Sequence, residues 1–158
     1  MSLQLTIDTK EVNSLIDRAM TLGKTRSLME RTARVAHTDT TMNFRQSRDP
    51  DGNPWKPITS RKGKPLLDTG RLRNSIVTSV SDDEASIGTN VEYAATHQFG
   101  ALIKPKKGKY LTFKIGDRFV KKTSVLIPAR PFLGFGERLV GRINRETANW
   151  AEEVLNGN

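Results

Sequence analysis

Apolar positions along the chain follow two rhythms, one of period two and one near 3.6, and their alternation sketches the elements. Leu3, Leu5 and Ile7 alternate with Gln4 and Thr6, which predicts a short strand. Asp8 followed by Glu11 has the form of a capping box, after which Val12, Leu15, Ile16, Ala19 and Met20 fall at helical spacing. Gly23 interrupts the pattern and Thr25 is placed to cap a restart. Leu28, Met29, Thr32, Val35 and Ala36 then resume the stripe to about Phe44, with Arg26, Arg31 and Arg34 off it. The reading is two helices, or one broken helix, over about 9–46.

The rhythm stops at 48–66. Four prolines and two glycines in that stretch exclude a helix or a central strand. Asp49-Pro50-Asp51-Gly52-Asn53-Pro54 is a run of turn formers that presents Trp55. Beyond it, Asp68 or Thr69 starts a short helix through Leu72. Ser75–Val80 and Ala85–Gly88 form a hairpin about Asp82-Asp83, and Val91–Phe99 is helical and stopped by Gly100. Leu111, Phe113 and Ile115 alternate with polar neighbours. Gly116-Asp117 turns the chain, and Phe119–Ile127 is the expected return strand, ended by Pro128 and Pro131. Val140, Ile143, Thr147, Trp150 and Val154 then step by three and four, the stripe of an amphipathic helix, with Arg138, Arg142, Arg145 and Glu146 on the other face.

These elements add up to an α+β fold, an antiparallel sheet of two hairpins packed by N-terminal helices and a C-terminal amphipathic helix. A chain of 158 residues is one domain's worth. Its parts are a helical region over 1–47, a long loop over 48–66, a sheet with short helices over 67–130, a C-terminal helix over 131–155 and a frayed tail over 156–158.

Composition narrows the chemistry. There is no cysteine, which removes disulfides, thiolate metal sites and cysteine nucleophiles, and only two histidines, His37 and His97. The absence of a long apolar run or a signal-like start leads us to expect a protein made in the cytosol that has no membrane partner. The net charge of +9 is uneven, because residues 48–130 hold 16 basic and 8 acidic side chains. That middle excess fits either an anionic partner or a solvated surface.

No nucleophile elbow, phosphate loop, dinucleotide loop or zinc-helix motif is present. Residues 49–60 imitate a calcium loop but place Pro54 where glycine is required and Ser60 where the bidentate acid belongs. His97 lacks any partner that spacing alone identifies, so it reads as structural, and neither metal nor cofactor is expected. Lys104, Lys106, Lys107 and Lys109 form a basic loop, and Lys121 and Lys122 fall near its base if the 110–127 hairpin forms. These lysines suit sequence-independent contact with DNA phosphates, or they guard a hairpin edge from mispairing. Trp55 either reaches a neighbour as an interface anchor or pins its own loop to the core.

Four motifs stand in order: Asp51-Gly52-Asn53-Pro54-Trp55, Leu66-Leu67-Asp68-Thr69-Gly70-Arg71-Leu72, Ile87 through Gly100 with Tyr93-Ala94 and His97 inside it, and Ile127-Pro128-Ala129-Arg130-Pro131-Phe132. In this order and spacing the chain resembles the virion-morphogenesis, or tail-completion, family of tailed bacteriophages, as in Mu-like phages. The resemblance implies a non-enzymatic structural subunit of the virion, assembled in the bacterial cytoplasm. It would act at the head–tail junction with other tail or head-connector proteins, and with copies of itself in a ring, often hexameric. A sequence-nonspecific DNA-binding accessory protein is the alternative. Within the motifs, Asp68, Gly70, Arg71 and Leu72 read as a helical turn capped by Asp68. Tyr93-Ala94 reads as the place where a helix presses on the sheet. His97, Gly100, Pro128, Pro131 and Phe132 read as fold determinants, and Arg130 as an anchor paired with a carboxylate.

Overall fold

The computed structural model describes Ser14, Asp17 and residues 25–156. The expected strand at 3–7, most of the first helix and the last two residues lie outside that range, while Ser14 and Asp17 are helical.

Helix α1 spans Thr25–Gln46 and buries Ala33, Val35, Ala36, Asp39, Thr40, Asn43 and Phe44. It ends in a Schellman turn, with Arg48 N donating to Asn43 O (3.1 Å), Ser47 N donating to Phe44 O (3.3 Å) and Ser47 at φ 54°. The loop that follows is ordered by its own turn chemistry. The Asp49 carboxylate accepts from the backbone and side-chain amides of Asn53 (2.8 and 3.0 Å), and Trp55 N donates to Ser47 O (2.8 Å).

Helix α2 is a single turn, Arg71–Asn74. The hairpin β1 (Val77–Val80) and β2 (Ala85–Gly88) pairs Val77 with Gly88 and Val80 with Ala85. Helix α3 (Ala94–Phe99) stops at Gly100. Four short strands follow, β3 (Ala101–Ile103), β4 (Leu111–Ile115), β5 (Arg118–Lys122) and β6 (Val125–Ile127). Helix α4 (Glu137–Leu155) closes the chain.

The fold is α+β, with both expected hairpins and one ladder more. Residues 125–127 do not extend the return strand of β4; they pair with β3, Ala101 opposite Ile127 and Ile103 opposite Val125. The break falls where β5 ends, and the 101–127 segment becomes a two-stage antiparallel arm: β3–β6 at the base and β4–β5 at the tip.

The core lies elsewhere. Phe44, Trp55, Leu72, Ile76, Val91, Ala94 and Phe132 form its centre, with Phe44 edge-on to Trp55 at 5.8 Å and tilted against Phe132 at 5.1 Å. Helices α1 and α4 run antiparallel. Val35 and Ala36 pack on Leu139, while Trp150 and Val154 receive Leu28. Two parts of the expected stripe of α4 turn out differently: Val140 and Thr147 face solvent and Leu139 takes the inward place. The helix begins at Glu137 rather than 131 because Gly134 and Gly136 press on the Pro50 loop in extended chain. A Cβ on Gly136 would lie 2.1 Å from Pro50 O.

Candidate interaction surface

The motif residues gather at one joint of the body, where α3, the 48–66 loop and the 128–134 segment meet. Trp55 is turned inward, buried to 6% exposure, and its indole N–H donates to Pro131 O at 2.8 Å. It pins its own loop and presents no ring face outward. Arg130 is buried but finds no carboxylate among the described residues. Its Nε and an Nη donate to Lys56 O (2.8 Å) and Pro57 O (3.2 Å), so the guanidinium fastens the same loop through carbonyls. Burial holds its pKa below the usual arginine value.

Asp68 does not cap α2. Gly70, in the left-handed region at φ 78°, occupies the cap position, Thr69 Oγ1 accepts from Arg71 N (3.3 Å), and Asp68 instead faces Arg61 at 3.7 Å. The helix starts later than expected because the left-handed glycine breaks the run of helical dihedrals. Arg71 is exposed, whereas Leu72 and Ala94 enter the core.

Tyr93 stands edge-on to His97 at 5.7 Å. His97 O accepts from Arg130 N at 2.7 Å, and its Nδ1 is buried with no hydrogen-bond partner among the described residues. Burial first, and the nearby Arg130 second, lower the His97 pKa. Gly100, at φ 74°, lets the chain pass Ala129, whose N would lie 2.9 Å from any Cβ there.

Two positions that sequence reasoning passed over do much of the holding. Gln98 Oε1 accepts from Phe132 N (3.0 Å) and Leu133 N (3.1 Å), and its Nε2 donates to Leu133 O (2.7 Å). Asp39, 1% exposed, takes a bidentate pair from Arg138 (2.7 and 2.9 Å), and Arg138 also reaches Asn43 Oδ1 (2.8 Å). The stripe of α4 puts Arg138 on the face away from the apolar positions, whereas the structure turns it toward α1. The available signal was a carboxylate and an amide at i and i+4 on the apolar stripe of α1.

A cleft of about 630 Å³ opens between the 57–72 loop and the arm, with Tyr93, His97, Arg130, Phe113 and Lys122 among its walls. Among the described residues no cluster of His, Asp and Glu is arranged to hold a metal ion.

The outward-facing chemistry is on the arm. Its 27 residues carry eight basic side chains and one acidic. Lys104, Lys106, Lys107 and Lys109 lie in the exposed loop between β3 and β4. The register sets Lys122 opposite Leu111 and Lys121 opposite Thr112, at the strand end that adjoins this loop. Leu111, Phe113 and Val120 share the half-buried face of the ribbon. Thr112, Lys114, Phe119 and Lys121 share the other, where Phe119 is 76% exposed. Leu102 and Leu126 form an exposed cross-strand pair at the base. Of the arm's cations only Lys114 has a carboxylate within ion-pair distance among the described residues, Asp117 at 3.7 Å on the turn.

Residues 7–151 match the profile of the phage virion morphogenesis family. The Mu-like prophage FluMu G protein 2 of Haemophilus influenzae is 35% identical over 126 residues, which cover 78% of this chain and 77% of that protein. No solved structure matches.

Proposed function

The chain belongs to the phage virion morphogenesis family, and from that premise we propose that it is a structural subunit of a tailed-phage virion that completes the tail and joins it stably to the head. It acts at the neck or tail end, as a ring of identical copies whose size fits the six-fold symmetry of tails. Other tail or head-connector proteins are its further neighbours.

The observation that carries this reading is the division of the molecule into a packed body and an arm that contributes nothing to the body's core. No residue of 101–127 is among the buried ones, yet the arm displays Leu102, Phe119 and Leu126 at more than half exposure. A two-stranded ribbon is marginal alone in water, and large exposed apolar side chains mark association surfaces. An arm of one copy laid on the body of the next is a heterologous contact, the kind that closes into a ring. Among the described residues no helix is long and apolar enough to cross a membrane, in keeping with a place in the particle.

Deletion of the gene in its phage, with electron microscopy of the particles, tests the role. Filled heads and unattached tails, restored to joined virions by the gene in trans, are expected. Normal infectious particles without the protein would refute it. Native mass spectrometry of the purified chain reads ring size.

A further inference from the structure

The arm also has an electrostatic character that self-assembly leaves unused. Residues 101–127 hold a net +7, nearly all of the chain's +9. The remainder of the chain is thus close to neutral, and its exposed acidic turn, Asp82-Asp83-Glu84, supplies three carboxylates where the arm presents eight cations. The arm's own carboxylate, Asp117, is one against eight cations.

We propose that the tip of the arm, the lysine loop together with the Lys114–Lys121 face of the β4–β5 ribbon, is a contact surface for the phosphate backbone of duplex DNA, which leaves the Leu102–Leu126 base of the arm to the neighbouring copy. This inference goes beyond the assembly role and does not depend on it. Shape and charge agree. A two-stranded β-ribbon is of a size that the B-form major groove admits. The exposed face of β4–β5 carries Lys114 and Lys121 about Phe119, and the lysine loop adjoins the Lys121 end of that face. Within the arm there is no asparagine, glutamine or glutamate and only one arginine, Arg118. The amide side chains that read adenine are thus absent and the planar arginine fork occurs once, while the lysines are flexible point charges suited to phosphate oxygens, so the contact is indifferent to sequence.

The test is fluorescence anisotropy of two labelled duplexes of unrelated sequence, titrated with the full-length chain over a series of salt concentrations. Three variants are compared with wild type. The first changes Lys104, Lys106, Lys107 and Lys109 to Ala, and the second changes Lys114, Arg118, Lys121 and Lys122 to Ala. The third is Lys114→Glu with Lys121→Glu, which alters only the solvent-facing side of the ribbon and keeps the proposal testable if the second unfolds the hairpin. Wild type is expected to bind both duplexes within about twofold of each other, with log K falling linearly in log salt. Each fully engaged cation contributes about 0.9 to that slope, so each quadruple variant is expected to lose up to about 3.6 and at least tenfold in affinity. The double Glu variant is expected to lose more than two neutralised contacts would. A wild-type slope in the double Glu or ribbon variant would overturn the proposal. So would competition by polyglutamate as effective as that by DNA at equal charge, which would make the partner an acidic protein.

Discussion

Asp39 is the residue on which the helix pair turns. Asn in its place keeps the shape but gives Arg138 a neutral partner with one acceptor instead of two. Removing one side of a buried ion pair costs about 3–5 kcal/mol, and Arg138, which keeps a third of its side chain in water, brings the expectation to about 3. For a domain of this size that lowers the melting temperature by about 6–12 °C, read by differential scanning calorimetry of Asp39→Asn. His97 gives a different signature. Its pKa is lowered in the fold because protonation would put a charge on a half-buried ring beside Arg130. A base with a depressed folded value contributes stability above its unfolded pKa, about 6.5, and loses it as pH falls toward the folded value. Unfolding by urea between neutral and mildly acid pH is expected to show a drop in stability for wild type that is smaller in His97→Phe. Equal drops would show that His97 does not titrate across this range.

At the scale of elements, the joint between α3 and the 128–134 segment holds by backbone proximity more than by side-chain bulk. Gly100→Ala introduces a Cβ 2.9 Å from Ala129 N at a φ, ψ of 74°, 161°, a region that glycine alone occupies readily. Such strain costs about 1–3 kcal/mol before the clash is counted, so a loss of about 3 kcal/mol or more is expected. Gly108→Ala is the control. Its φ is also positive, at 77°, but the space around it is open, and its cost should be nearer 1–2 kcal/mol in the same chemical denaturation series. The stop at Gly100 was legible because glycine ends a helical pattern. Its contact with Ala129 was not, since nothing local tells that residues 29 apart will touch. The same limit explains α4. Its periodicity was plain, but the choice between Leu139 and Val140 as the inward residue depends on where α1 lies, and the pairing of Arg138 depends on a carboxylate 99 positions away. Hairpin β1–β2 was read correctly because its turn and its two strands are contiguous. Ladder β3–β6 was missed because its strands are three residues each and enclose another hairpin.

For the whole molecule, the decisive property is that the arm adds no residue to the buried core of the body. The basic loop is visible in the sequence as four lysines in six residues, but Phe119 and Leu126 stand in the expected return strand without a sign of which way they face, and Leu102 falls in no predicted element. Only the third dimension shows that they face outward. If the arm exists for contacts with other molecules, its removal should separate folding from assembly. Residues 104–124 can be replaced by Asn-Gly, which closes β3 onto β6 as a tight hairpin with the turn its right-handed twist favours. The buried set is untouched by that change, as are the Asp39–Arg138 pair and the Trp55, Gln98 and Arg130 bonds. The melting temperature is therefore expected to stay within about 5 °C of wild type, since loss of a marginal ribbon and a long loop costs the body about 1 kcal/mol. Phage supplied only with the armless chain should nevertheless yield unjoined heads and tails. Joined, infectious particles from that complementation would place the assembly surface on the body, whereas a large fall in melting temperature would show that the arm is part of the fold.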